Sequence, residues 1–371
     1  MKRLRYIDWF LVLAILPLLA FGLFTMKSLE GHDYYFKRQV LWIFLGFIVM
    51  GIFALIDWRS LKSGAFTLLL YGFSIFLLAL LVIVGRVTRG AQSWFTLGST
   101  AFEPVEIAKF SLILLLAKYF SGRYVEIALM RHIIISFLYV ALPLILVIFQ
   151  PDAGSAAILF FIWASMILFS GINLRQIMLL ILVGVVSISA AWFFVLHPYQ
   201  KARIIAFLQP EQDPRGSGYH AIQAMIAVGS GRIWGKGVGY GTQSRLNFLP
   251  ESQTDFIFAA FAEEWGLLGV AFIFLSFALL FWRIIHIALN APENFPKFVG
   301  LGVGFLLLGH ILIHVGMNIG LLPITGIGLP FMSYGGSFLL VDMALLGLVE
   351  SIALRSSIRA YEDKGVLVLT P

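Results

Sequence analysis

Ala65-Phe-Thr-Leu-Leu-Leu-Tyr-Gly-Phe-Ser-Ile-Phe-Leu-Leu-Ala-Leu-Leu-Val-Ile-Val-Gly85 decides the fold class. These 21 residues contain no charge. As a helix rising ~1.5 Å per residue they cover the ~30 Å hydrocarbon core of a bilayer. Comparable apolar stretches recur outward in both directions, near 8–26, 39–57, 104–120, 132–149, 153–171, 176–196, 267–288, 298–318 and 332–354. The expected fold is therefore an all-α polytopic membrane protein of about ten transmembrane helices. The weakest of these are 104–120, which contains Glu106 and Lys109, and 153–171, which follows its predecessor after only Gln150-Pro151-Asp152. Proline cannot continue the preceding helix, so that break suffices for a turn.

Composition agrees. Of 371 residues 60% are hydrophobic and 12% charged, whereas a soluble chain carries roughly 25% charged residues. Zero Cys excludes disulfides, Cys-ligated zinc, iron–sulfur clusters and thiol catalysis. The net charge of +7 is no nucleic-acid footprint, since the longest basic run is the opening Lys2-Arg3-Leu4-Arg5; it fits cytoplasmic Lys and Arg in a membrane protein.

The first apolar run is long and lacks a small-x-small cleavage site, so it reads as a signal anchor. Starting it inside places both termini and the even-numbered loops in the cytoplasm with about 14 Lys and Arg, against about five in the short outside loops. Residues 197–266 become one long extracytoplasmic loop, rich in glycine. It holds no nucleotide-binding pattern: Gly231-Arg-Ile-Trp-Gly235-Lys236-Gly237 has the wrong spacing for a P-loop and no Ser or Thr for magnesium. No internal repeat supports a transporter with inverted symmetry.

Ionisable groups in or beside spans are costly, which makes them functional candidates. Glu106 and Lys109, three apart at the outer end of the fourth span, share a helix face and pair, either as a structural ion pair or at a site. Asp152 lies in the outer turn between spans five and six and caps the sixth or joins a site. Asp255 stands in Leu249-Pro-Glu251-Ser-Gln-Thr254-Asp255-Phe-Ile-Phe258, where the loop returns to the membrane, and from spacing alone a helix cap is the simpler reading. Glu263 and Glu264 read as a solvated rim. Asn318 to Ser337 is uncharged yet broken by Gly and Pro. Irregular backbone at membrane depth survives only where it lines a cavity or is buried in protein, so 319–337 is expected to be a re-entrant segment. Asp342 lies about ten residues into the tenth span, ~15 Å below its rim, at a height near that of His310, and is expected either to bond His310 or, protonated, to bond a backbone carbonyl.

These residues carry a resemblance. Phe102-Glu-Pro104-Val-Glu106-Ile-Ala-Lys109, Gln150-Pro151-Asp152-Ala-Gly154, Asp213-Pro-Arg-Gly216-Ser-Gly218-Tyr219-His220, Leu249 to Phe258 and Pro330-Phe-Met-Ser333-Tyr334-Gly335-Gly336-Ser337 occur in this order. Over nearly its whole length the chain resembles the SEDS family (shape, elongation, division and sporulation) of peptidoglycan glycosyltransferases. It is similar to the elongation type that maintains rod shape more than to the division or sporulation types. It departs from the family pattern at Ala153, where Leu or Phe is frequent, and at Phe338, where a second small residue is common.

The resemblance implies polymerisation of lipid II into glycan strands with inversion at the anomeric carbon, releasing polyprenyl diphosphate, on the extracytoplasmic face of the bacterial cytoplasmic (inner) membrane. It implies Asp255 as the catalytic residue, in the role of general base. Glu106, Lys109, Asp152, Arg203, Lys236, Arg245, Glu251 and Ser333 are the implied substrate-binding positions, with the cations facing the diphosphate. A divalent cation such as Mg2+ could share that work, although no metal box is present and no cofactor is certain. The implied partners are lipid II and a single-span class B penicillin-binding protein. A lipid II flippase or transporter would also need many spans and intramembrane charges, and a scaffold for the penicillin-binding protein is the third reading.

Overall fold

The structure, a computed structural model, describes residues 8–29, 33–62, 64–85, 93–97, 100–123, 129–194, 201, 205, 207–212, 216–246 and 248–369. The elements are α1 (Trp9–Ser28), α2 (Asp33–Leu55), the short α3 (Trp58–Lys62), α4 (Gly64–Val84), a hairpin of β1 (Phe95–Leu97) and β2 (Thr100–Phe102), α5 (Pro104–Gly122), α6 (Met130–Phe149), α7 (Ala153–Phe169), α8 (Leu174–Phe194), α9 (Ser217–Ser230), α10 (Thr242–Arg245), α11 (Ile257–Leu289), α12 (Asn294–Asn318) and α13 (Gly336–Leu369). A helix stands at each of the ten predicted positions. Seven, namely α1, α2, α4, α6, α11, α12 and α13, are long and apolar enough to cross a membrane. Of the other three, the fifth helix carries Glu106, Lys109 and Lys118, and α7 has 17 residues, whereas α8 runs 21 residues, from Leu174 to Phe194, without a charge after Arg175.

α12 is the axis of the bundle. It packs against α5, α7 and α11, while α2 runs along α13 and α1 along α11. Small residues permit the close approach that packing between membrane helices requires: a Cβ at Gly302 would lie 2.7 Å from Cγ2 of Ile113 and 3.2 Å from Sδ of Met166. The outer faces of α4, α6 and α8 expose Leu69, Ile83, Leu138, Phe149, Leu174 and Phe193, as surfaces in contact with lipid do.

Ion pairs gather at one end: Arg283 binds Asp8, Lys62 binds Glu293 at 2.8 Å, and Arg355 binds Asp57 at 3.2 Å. These residues begin α1, end α2 and α11, and flank α3 and α12. α1 runs from this end to the opposite one, where Ser28 Oγ donates to Glu264 at 2.9 Å. Asp152, Asp255 and the irregular segment before α13 lie at that opposite end.

Two expectations change. The loop 197–266 is partly helical: it contains α9 and α10, and α11 begins at Ile257, ten residues before the predicted span, continuing across a kink at Gly266 (φ 64°, ψ −165°). The N-terminus of α5 is preceded by the β1–β2 hairpin, paired Phe95 to Phe102, which the sequence reading leaves as loop. Residues 319–335 are indeed irregular, with Leu329, Phe331 and Met332 almost fully buried.

Candidate active site

Asp255 sits one residue before the N-cap of α11, which is Phe256. A helix start leaves N–H groups without acceptors, and one of them is satisfied from another helix. Asn318, at the end of α12, accepts the Ala259 N–H at 3.2 Å through Oδ1 and donates to the Asp255 carbonyl at 3.0 Å and the His314 carbonyl at 2.8 Å. Asn318 thus ties both the first turn of α11 and the Asp255 backbone to α12, and Asp255 itself is half-buried.

That loop is fastened to the irregular segment by backbone groups. Ser333 Oγ donates to the Thr254 carbonyl at 2.8 Å and accepts the Leu329 N–H at 2.7 Å, and Tyr334 N–H donates to the Gln253 carbonyl at 2.9 Å. Gln39 of α2 donates to the Ser333 carbonyl at 3.2 Å and accepts the Gly335 N–H at 3.4 Å. Ser333, expected at the substrate, is 2% exposed, so its hydroxyl supports the Asp255 loop. Glu251 (φ 52°) turns the chain before Asp255, and its carbonyl accepts the N–H of Thr254, Asp255 and Phe256 at 3.0–3.3 Å.

The irregular segment also joins Asp255 to α7. A Cβ on Gly326 (φ 76°) would lie 3.8 Å from Asp255 Oδ2, and one on Gly154 would lie 2.8 Å from the Thr325 carbonyl and 2.7 Å from Ile327 Cγ1. Only glycine suits both places, through positive φ at the first and close approach at the second. Asp152 caps α7, accepting the Ser155 N–H at 2.9 Å, while Ser93 Oγ donates to its other oxygen at 3.5 Å. The structural reading of Asp152 is thus realised at a half-buried position beside the same segment.

Glu106 and Lys109 pair at 2.6 Å, as their spacing predicts. They do not form a rim: they are 3% and 1% exposed, and Lys109 Nζ also lies 3.2 Å from His310 Nε2. Lys109, on α5, is thus enclosed against α12. The expected bond from Asp342 to His310 is not formed. Both carboxylate oxygens of Asp342 lack a hydrogen-bond partner, and His310 turns to Lys109 and stacks edge-on with Phe338, ring centroids 5.1 Å apart. Glu103, at the N-cap of α5, is pushed up to about 8. Burial is the main cause, with repulsion from Glu106 and Asp152 adding to it and Lys109 and a hydrogen bond from Trp94 opposing it.

The Glu263-Glu264 pair is no solvated rim either. Glu263 is fully buried and accepts from Lys236 at 2.7 Å, Thr242 Oγ1 at 3.1 Å, and the N–H groups of Gln243 and Ser244 at 3.0 and 3.1 Å. It caps α10 from a distance and holds Lys236. Glu264 accepts the Gly239 N–H at 2.9 Å. Arg245 is exposed and donates to the Gly239 carbonyl at 3.4 Å, and Arg203 lies outside the described residues. Among the described residues no three His, Cys, Asp or Glu side chains converge as a metal site.

The sequence reading misses Asn318, Gln39 and His314, whose Nδ1 lies 2.7 Å from the Ile327 carbonyl. His314 and Asn318 are polar residues in a mainly apolar helix, which is the signal that could have found them, whereas Gln39 directly follows Lys37-Arg38 and carries no such signal.

The family described as "Cell cycle protein", FtsW/RodA/SpoVE, matches residues 4–358. Peptidoglycan glycosyltransferase MrdB of Escherichia coli K12 is 37% identical over 348 residues, covering 94% of this chain and 93% of that protein. A chain from a solved peptidoglycan synthase complex that coordinates polymerization and crosslinking is 30% identical, with a TM-score of 0.81 over 94% of this chain and 98% of its own. The crystal structure of the rod shape determining protein RodA of Thermus thermophilus is 28% identical, with a TM-score of 0.71 over 94% and 96% of the two chains.

Proposed function

The chain belongs to the FtsW/RodA/SpoVE family, and we infer from that membership and the site geometry that it is a peptidoglycan glycosyltransferase of the elongation type. Its substrate is lipid II, whose polyprenol tail needs lipid and whose disaccharide needs water. A site at one end of a membrane bundle offers both. We place that end on the extracytoplasmic face of the cytoplasmic membrane, because the opposite end collects Arg283, Lys62 and Arg355 and cytoplasmic segments favour Lys and Arg.

The observation that carries the reading is the anchoring of the Asp255 loop, its backbone by Asn318 and its Thr254 carbonyl by Ser333. A half-buried carboxylate beside Gly326, fixed through its backbone, suits a general base, whose contribution is typically ~10²–10⁴-fold. Asp255 accepts the proton of the acceptor 4-hydroxyl as that oxygen bonds to the anomeric carbon of the donor MurNAc. The bond to the polyprenyl diphosphate breaks on the opposite face, giving inversion. Arg203 and Arg245 are the cations we assign to the leaving diphosphate, while Lys109, Lys236 and Ser333 hold the elements around it. Glu251 and Asp152 shape the two loops that flank the acceptor. The partner is a single-span class B penicillin-binding protein, supported by the likeness to a chain of a synthase complex.

Glycan polymerisation by purified protein with added lipid II tests the reading. Product from the wild type and none from Asp255→Ala is expected. No polymer from a folded wild type, alone or with its transpeptidase partner, overturns it.

A further inference from the structure

The segment between α9 and α10 turns its apolar side chains outward. Ile233 is 54% exposed, Trp234 80% and Tyr240 70%. This surface is held in place by backbone groups: Gly235 N–H donates to the Gly231 carbonyl at 2.8 Å, Lys236 N–H to the Glu263 carbonyl at 2.9 Å and Gly237 N–H to the Glu264 carbonyl at 3.0 Å. Two further bonds explain how α11 tolerates its kink. Where Gly266 leaves helical geometry, the next amides lose their acceptors within the helix. The Leu267 N–H instead donates to the Arg232 carbonyl at 2.8 Å and the Leu268 N–H to the Ile233 carbonyl at 3.2 Å.

The surface of α11 changes character at the same point. Every residue from Ile257 to Glu264 is buried, whereas Leu267, Leu268, Phe272, Leu275, Leu279 and Trp282 are exposed. An outward apolar stripe on a membrane-crossing helix faces lipid. From Leu267 to Leu289 the rise is ~33 Å at 1.5 Å per residue, close to the ~30 Å of the hydrocarbon core. The kink therefore marks the edge of that core. Ile233 and Trp234, tied to the first two residues of the stripe, continue it into the headgroup layer, where indole rings collect. Arg232 is exposed beside them, and a guanidinium at this level meets lipid phosphate.

We propose that Arg232-Ile233-Trp234 is an interfacial wedge that binds phospholipid, with Ile233 and Trp234 at the boundary of headgroups and acyl chains and Arg232 on a phosphate. Phospholipid is the occupant because the exposed face is continuous with the lipid-facing stripe of α11. The wedge is independent of the reaction assigned above.

The absence of Cys makes the test direct. Full-length Ile233→Cys and Trp234→Cys, each carrying a nitroxide label, are placed in nanodiscs of phosphatidylethanolamine and phosphatidylglycerol. Accessibility to oxygen and to a water-soluble nickel chelate is then measured. Phe274→Cys on α11 is the lipid reference and Glu211→Cys the water reference. All four sites are exposed, so folding is retained, and gel filtration checks this. Oxygen-to-nickel ratios at 233 and 234 that lie between the references, several-fold above Glu211, are expected. Ratios equal to the water reference at both positions overturn the proposal. Protection from both reagents also overturns it, by placing protein over the wedge.

Discussion

Asn318 and Asp255, 63 residues apart, are joined by a 3.0 Å hydrogen bond from the Asn318 amide to the Asp255 carbonyl. The other end of the same amide group caps α11. One side chain thus fixes where the Asp255 backbone stands and secures the first turn of α11.

Replacing Asp255 by Asn separates structure from chemistry. Asn is nearly isosteric but does not accept a proton, and the general base is worth ~10²–10⁴-fold. Glycan polymerisation by purified Asp255→Asn should fall to that extent while its melting temperature stays near the wild-type value. Substantial polymerisation by the folded variant would sink the general-base role.

Asn318→Leu should lose stability as well as activity. It leaves the Ala259 N–H and the Asp255 carbonyl without their partner in a buried place, and each such group costs ~1–3 kcal/mol. A clear drop in melting temperature in detergent is expected, with polymerisation lost in parallel. An unchanged melting temperature would show that the cap is replaceable.

Removing one member of the Glu106–Lys109 pair leaves a buried charge uncompensated, at ~3–5 kcal/mol. Glu106→Gln and Lys109→Met should each destabilise more than the double variant that combines them. Thermal unfolding of the three proteins reads the difference, and a double variant less stable than both singles would contradict it.

Glu103 gives stability a pH dependence. Its carboxyl titrates near the ordinary 4.5 in the unfolded chain and at about 8 in the folded one. Between these values the folded state binds the extra proton, so the contribution is complete below 4.5 and is lost as pH rises through 8. Melting temperature should fall from pH 6 to pH 9, and Glu103→Gln should flatten that slope. An equal slope in the variant would remove Glu103 as its source.

Asp342 is a buried carboxyl without a hydrogen-bond partner among the described residues, so Asp342→Leu should leave stability unchanged or raise it. Because His310 serves Lys109 instead, combining Asp342→Leu with His310→Leu should be additive. Coupling beyond ~0.5 kcal/mol in the double-mutant cycle would mean the two residues interact after all.

The spans were legible in sequence because an apolar run of sufficient length has one stable solution in lipid, and the Glu106–Lys109 pair because helix spacing fixes who can meet along one face. Direction across the bundle was not legible. Rise per residue gives the height of Asp342 and His310 but not which neighbour each side chain faces, and for His310 the neighbour is Lys109. Glu263 and Glu264 look like a rim until residues 231–245 fold over them. The kink at Gly266 hides because its freed amides are satisfied 35 residues earlier, at Arg232 and Ile233. Asn318 was visible as a polar residue, but its partners on α11 depend on tertiary packing.

The bond from Ser333 to the Thr254 carbonyl spans 79 residues, and that distance sets a schedule during synthesis. A ribosome adding ~5–20 residues per second needs about 4–16 s to travel from one to the other. During that interval Asp255 has been made, but the segment that holds its loop has not. The Asp255 loop therefore gains its Ser333 support only once the segment leading into α13 has been made.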